Sequence, residues 1–275
     1  MIILNHKQCL HTHTKYVDGK DSIEELIIEA INRKLDGIGF SEHTYIEYSS
    51  FPHQLTINDM PNYKNEIHSL KEIYRNQIDI FCGLEYEFYS DIPTDGFDYM
   101  IGSIHYLNIN GKIVTFDKGL KETLEYVNEH FNGSGLNFAK KYFETVSLLS
   151  KKQKIDIIGH FDLITKNNDV GNIFNTDSKE YLSYGYDAIH SLKNKIPLFE
   201  VNTGAISRGY KTTPYPQMEF LKEFKNCGFG AVITSDCHDK NFLDCHYEES
   251  RELLLYAGFN SHWILTNNGF KEVKL

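Results

Sequence analysis

Short apolar runs recur along this chain, and nearly every one leads directly into a histidine or a carboxylate. Lys7–Leu10 precedes His11-Thr12-His13, Gly37–Phe40 precedes Ser41-Glu42-His43, and Ile78–Leu84 precedes Glu85-Tyr86-Glu87. The form continues with Tyr99–Ser103 before Ile104-His105 and Ile155–Gly159 before His160. It ends with Leu198–Val201 before Asn202-Thr203-Gly204 and Ala231–Thr234 before Ser235-Asp236-Cys237-His238. Amphipathic patterns of helical period lie between them. Ser22-Ile23-Glu24-Glu25 is a capping box opening a helix with Ile23, Leu26, Ile27, Ala30 and Ile31 on its apolar side. Further helices are predicted over 59–75, 120–131, 136–153, 178–193, 216–226 and 246–257. Asn110-Gly111 predicts a small hairpin within 107–115, and Asn267-Asn268-Gly269 a terminal turn.

Seven strands alternating with helices predict an α/β protein with a parallel sheet covered by helices. Pattern alone leaves a closed barrel and an open sheet both possible. An open sheet gathers its polar residues at one switch point. Here almost every strand carries its own at the C-terminal end, where barrels build their active sites, so the barrel is preferred. A chain of 275 residues suits one such barrel. No linker, low-complexity tract or composition break appears, and 1–275 is expected to be a single domain.

Composition narrows the partners. The 38 acidic residues exceed the 28 basic ones for a net charge of -10, which argues against a dedicated nucleic-acid binder. A positive site made by metal ions stays compatible with an anionic substrate. The five cysteines, at 9, 82, 227, 237 and 245, form no Cys-x-x-Cys pair and no secreted disulfide framework. No apolar run reaches the roughly 18 residues of a membrane span, and no signal-peptide pattern opens the chain. The expectation is a cytoplasmic monomer or homodimer with no nucleic-acid or membrane partner.

His11 and His13, one residue apart on a strand, point to the same side. Collected from all the strand ends, the candidates are His11, His13, His43, Glu85, His105, His160, Asp236 and His238, with Asp18 from the first loop. They include six of the 13 histidines. The other histidines (His6, His53, His68, His130, His190, His246 and His262) fall mostly in loops or helices and are expected to be solvated. Imidazoles and carboxylates converging on one mouth repel or stay unsatisfied without cations between them. An all-nitrogen-and-oxygen set of this kind suits Zn, Mn or Fe better than Mg or Ca. It is too large for one ion and about right for three.

Leu10-His11-Thr12-His13-Thr14, Ser41-Glu42-His43, Gly83-Leu84-Glu85-Tyr86, Gly102-Ser103-Ile104-His105, Gly159-His160-Phe161-Asp162-Leu163 and Ser235-Asp236-Cys237-His238, in this order, resemble the polymerase and histidinol phosphatase (PHP) superfamily. The resemblance spans 11–238 and implies a distorted (β/α)7 TIM-like barrel with a trinuclear metal centre. Within the superfamily the chain is most similar to the histidinol-phosphate phosphatases. It shares with them its length, a tyrosine-rich insertion after Ser-Glu-His, and a helical insertion before Gly-His-Phe-Asp-Leu. Glu200-Val201-Asn202-Thr203-Gly204, followed by Arg208, is a further point of likeness.

The resemblance implies that His11, His13, Glu85 and Asp236 hold one metal, and that Glu85 bridges to a second held by His105 and His160. Asp18, His43 and His238 hold the third, with Asp18 standing where many relatives carry histidine. Cys237 stands where a small residue is common and is expected to pack away from its neighbours. The implied reaction is hydrolysis of L-histidinol phosphate to L-histidinol and phosphate, a step of histidine biosynthesis, by attack of a metal-bound hydroxide. The alternative is another small monoester, such as a nucleotide or sugar phosphate.

Glu85, Asp236 and Arg208 are the catalytic candidates. Arg208 follows a strand end, where a bidentate grip on phosphate is natural, while the other arginines sit in helical patterns. A substrate carrying ammonium and imidazole asks for carboxylate and aromatic groups. The loop Tyr45-Ile46-Glu47-Tyr48 offers both, and Asn202 is a further substrate-binding candidate.

Overall fold

The computed structural model describes residues 6–47, 54–152 and 154–275, so Tyr48 and His53 lie outside the described residues. Its elements run β1 (Gln8–Cys9), α1 (Ile23–Asn32), β2 (Gly37–His43), α2 (Met60–Tyr74), β3 (Asp79–Glu87) and β4 (Tyr99–Ser103). The hairpin β5 (Tyr106–Ile109) and β6 (Lys112–Thr115) follows, then α3 (Leu120–Phe131), α4 (Gly135–Val146) and β7 (Ile157–Ile158). Next come α5 (Asn168–Gly171), α6 (Lys179–Leu192), β8 (Leu198–Asn202), α7 (Gly204–Ser207), α8 (Met218–Cys227) and β9 (Gly230–Thr234). α9 (Tyr247–Tyr256) and the hairpin β10 (Ser261–Thr266) and β11 (Gly269–Lys274) end the chain.

β1, β2, β3, β4, β7, β8 and β9 form a seven-stranded parallel sheet in that order. The sheet closes just beyond its first and last strands. Thr12 pairs with Cys237, the His13 N–H donates to the Cys237 carbonyl at 2.8 Å, and the Cys237 N–H donates to that of His11 at 2.9 Å. The result is the (β/α)7 barrel expected from the strand-end pattern. α1 begins at the predicted capping box, with both the Ser22 and the Glu25 side-chain bonds formed.

Strand alternation decides what enters the barrel. Phe81, Tyr99, Ile101, Ile157, Leu198 and Val232 form one buried apolar cluster with Leu10 and Leu265. Farther along the same faces come Glu85 and Glu87 on β3, Glu200 and Asn202 on β8, and Thr234 on β9. The interior therefore changes from apolar to polar toward the C-terminal ends of the strands. Glycine makes this packing possible at one point: a Cβ on Gly83 would stand 2.4 Å from the Tyr99 ring.

The terminal turn is the tip of a full hairpin whose second strand the sequence pattern did not mark. Leu265 enters the apolar cluster, and the Gln8 amide holds it like a neighbouring strand, donating to its carbonyl (2.9 Å) and accepting from its N–H (2.7 Å). This hairpin overturns one expectation: His262, placed among the solvated histidines, is buried at 1 % exposure. Burial, and secondarily Arg251, holds its imidazole neutral down to about 4, against about 6.5 in an unfolded chain. Below pH 6.5 the unfolded state takes up a proton that the folded state refuses, so stability falls from there toward pH 4. His262→Phe is expected to remove about 2 kcal/mol of the stability difference between pH 7 and pH 5, read from urea unfolding.

Candidate metal centre

At the C-terminal mouth the strand ends bring their polar side chains together. Glu85 is its hub. Its Oε2 lies 3.3 Å from His11 Nε2, 3.5 Å from His13 Nε2 and 2.6 Å from His43 Nδ1. Its Oε1 lies 2.8 Å from His160 Nε2 and 3.5 Å from His105 Nε2. One carboxylate buried to 1 % exposure thus faces five imidazoles.

Three clusters of donors surround it. The Nε2 atoms of His11 and His13 face Asp236 Oδ1 at 3.8 and 3.5 Å and form one cluster with it, and Glu85 Oε2 approaches the same two nitrogens. His43 and His105 meet Glu85 in a second cluster, which His160 flanks at the other carboxylate oxygen. In the third, Asp18 Oδ2 lies 3.3 Å from His238 Nε2 and 3.7 Å from His43 Nε2, and Asp18 Oδ1 lies 3.7 Å from His13 Nδ1. His43 offers Nδ1 to one cluster and Nε2 to another. All nine strand-end and first-loop candidates therefore meet around this mouth. Cys237 packs outside it, fully buried, with Sγ 3.1 Å from the Asp239 carbonyl. The chain reaches that arrangement through Asp236 at φ 45°, a left-handed conformation that a non-glycine residue adopts at a cost.

Charge coupling is strong. Burial alone would neutralise Glu85, but His43, His11 and His105 outweigh it and hold its carboxyl well below the usual range. Asp236 is held low in the same way against burial, chiefly by Arg208 and His11. Burial opposes charge on His43, yet Glu85 and Asp18 raise it to about 10. Even so, His11 Nε2, both ring nitrogens of His13 and Glu85 Oε2 are buried and make no hydrogen bond among the described residues. Each such atom costs about 1–3 kcal/mol when nothing satisfies it. Their convergence fits divalent cations coordinated by nitrogen and oxygen.

A surrounding set of carboxylates orients the histidines, and the sequence pattern had not assigned it. Glu200 lies 2.9 Å from His11 Nδ1 and accepts from the His160 N–H (2.6 Å), Asn202 Nδ2 (2.8 Å) and the Thr234 hydroxyl (2.8 Å). Glu87 lies 2.9 Å from His105 Nδ1 and accepts from the His105 N–H at 3.0 Å. Glu42 accepts from the Thr14 N–H at 2.9 Å and stands 3.7 Å from His13 Nδ1. The available signal was spacing: Glu87 shares a strand face with Glu85, and Glu200 shares one with Asn202.

A cavity of about 320 Å³ opens above the cluster, and Arg208 stands in its wall. Its guanidinium forks Asp236, with Nη2 donating to Oδ2 at 2.9 Å and Nη1 to the Asp236 carbonyl at 2.8 Å. Asn202 is fully buried and holds Glu200, while its Oδ1 accepts from the Gly204 N–H. Tyr45 and Glu47 are exposed and do not line the cavity among the described residues.

Comparison with known proteins agrees with this fold. Residues 10–203 match the PHP domain family. A Schizosaccharomyces pombe protein named "Probable histidinol-phosphatase" is 26% identical over 92% of this chain and 84% of its own length. The fold superposes on a Listeria monocytogenes chain with a TM-score of 0.77 at 19% identity, covering 88% of this chain and 99% of that one. A Lactococcus lactis histidinol phosphate phosphatase, solved with Zn, L-histidinol and phosphate, has a TM-score of 0.71 at 19% identity, covering 96% and 98%. With the family match extending over most of the barrel and its strand-end cluster, the chain belongs to the PHP domain family.

Proposed function

We propose that this protein is a metal-dependent phosphomonoesterase that hydrolyses L-histidinol phosphate to L-histidinol and inorganic phosphate. The observation that carries the reading is the Glu85 carboxylate, buried among five imidazoles with several coordinating atoms unbonded, at the base of a cavity. The Lactococcus lactis neighbour, solved with zinc, L-histidinol and phosphate, supports the choice of substrate. His11, His13, Glu85 and Asp236 would hold one ion, Glu85, His105 and His160 a second, and Asp18, His43 and His238 a third. The donor chemistry suits Zn, Mn or Fe. Divalent ions held there would supply an activated water nucleophile and neutralise the phosphate oxygens.

The chain's own groups do the rest. Glu200 and Glu87 fix the ring orientations of His11 and His105. A guanidinium carries five N–H groups, and Arg208 commits those of Nη1 and one of Nη2 to Asp236 and His238. Its Nε–H and the second Nη2 hydrogen remain to grip a phosphate oxygen. Arg208→Ala is expected to raise KM and the inhibition constant of inorganic phosphate by about 10-fold or more. Because Asp236 also loses its clamp, kcat falls with it; Arg208→Lys keeps the charge but not the fork and recovers little.

The reading takes 1–275 as one domain, since Gln8 and Leu265 tie the terminal hairpin into the barrel floor. It also takes the protein as a cytoplasmic monomer or homodimer without nucleic-acid or membrane partners. No helix among the described residues is long and apolar enough to cross a membrane. The test is phosphate release by zinc- or manganese-loaded protein from L-histidinol phosphate, a nucleoside monophosphate and a sugar phosphate. Release from L-histidinol phosphate well above the others is expected. A clear preference for either of the others would overturn the substrate assignment while leaving the phosphatase chemistry.

A further inference from the structure

The cavity wall carries an ion pair that neither the proposed metal ligands nor the phosphate grip uses. Asp117 follows the β5–β6 hairpin, and Lys166 follows the short helical turn Leu163–Thr165 beyond His160. Lys166 Nζ donates to Asp117 Oδ1 at 2.6 Å and sits 4.6 Å from the centroid of the Tyr210 ring. The Asp117 and Lys166 side chains are only 20% and 17% exposed, and both line the cavity along with His105 and His160. Among the described residues, Lys166 bonds only one of the two carboxylate oxygens, and Oδ2 makes no hydrogen bond.

This arrangement differs from an ordinary surface salt bridge, in which both partners remain solvated and the geometry is loose. Here the ammonium of Lys166 is clamped between a carboxylate and an aromatic face, and the carboxylate keeps one oxygen for something else. Burial pushes the Asp117 carboxyl up, but Lys166 foremost, with His105 and His160, outweighs it and lowers it to about 2. Once the phosphate is bound at the metal centre, the amine is the nearest cationic group of an amino-alcohol phosphate. It sits on the carbon next to the phosphorylated one. Asp117 shares the cavity lining with His105 and His160, whereas the exposed Tyr45 and Glu47 do not line it among the described residues.

We propose that Asp117 Oδ2 binds the substrate's ammonium group and selects amino-alcohol phosphates, with Lys166 as the positioning residue that orients the carboxylate. The proposal rests on the phosphatase reading above and names the group that discriminates among its substrates.

The test compares L-histidinol phosphate with 3-(imidazol-4-yl)propyl phosphate, the same skeleton without the amine, on metal-loaded protein. Asp117→Asn is expected to lower the ratio of the two kcat/KM values by about 10- to 100-fold, chiefly through KM on the amine substrate. Lys166→Met is expected to lower it less, and carries the test if Asp117→Asn does not fold. Calorimetry should show L-histidinol binding weakened in Asp117→Asn with inorganic phosphate binding retained. An unchanged ratio, or equal losses on both substrates, overturns the proposal. If the parent protein cleaves neither ester, the phosphatase reading fails instead, and calorimetry with L-histidinol and its des-amino alcohol still decides whether Asp117 reads the amine.

Discussion

Glu85→Ala is expected to abolish phosphate release and to leave the protein with a markedly lower metal content after desalting. The two oxygens of this one side chain face five imidazoles, so its loss removes a ligand from two clusters at once. Removing a group that merely orients a metal ligand costs about 10- to 100-fold in affinity or activity, and losing a bridging ligand should exceed about 100-fold. Without metal, the imidazoles also lose one of the buried negative charges that, with Glu200 at His11 and Asp18 at His43, offset their desolvation. Glu85→Gln keeps the shape and removes the charge, so a similar loss in that variant assigns the effect to the carboxylate and not to a cavity. Plasma mass spectrometry and a phosphate assay on the same preparation read both halves of the prediction. Full activity at reduced metal content would contradict it.

Glu200→Ala should be the next most damaging change, although this residue touches the proposed ions only through His11. Glu200 is fully buried and serves His11 Nδ1, the His160 N–H, Asn202 and the Thr234 hydroxyl. Alanine leaves those groups without a partner, at about 1–3 kcal/mol for each one that cannot find another. Loss of ring orientation should weaken metal binding by about 10- to 100-fold. The expected signature is therefore double: a lower melting temperature in chelator-treated protein, and weaker zinc binding in competition with a chromophoric chelator. A melting shift alone, with zinc affinity unchanged, would reduce Glu200 to a packing residue.

The strand-end rule explains why so much of this was legible in sequence. A parallel barrel directs every strand's C-terminal end to one mouth, so a polar residue at each end is a statement about convergence. Side-chain period two then places Glu85 above Phe81, and the apolar-to-polar change along each strand appears in the structure as floor and mouth. The orienting carboxylates were not legible as such. Glu200 meets His11 across 189 residues of sequence, and no local pattern carries a cross-barrel distance. Asn202, read as facing substrate, turns to hold Glu200. Tyr45 and Glu47 have the chemistry expected of a histidinol pocket, but the chain returns through the Thr44–Leu55 bridge and leaves both exposed. His262 had no partner pattern to mark it because β11, which completes its hairpin, is polar and mostly exposed.

The central claim is that the strand ends share a pool of cations, and anomalous scattering from crystals soaked in zinc or manganese tests it most directly. The account predicts peaks at the barrel mouth about 2.0–2.2 Å from His11 and His13 Nε2, from Glu85, and from Asp18 and His238. Crystals of protein active in phosphate release that show no peak within reach of Glu85, or peaks only elsewhere on the surface, would contradict it.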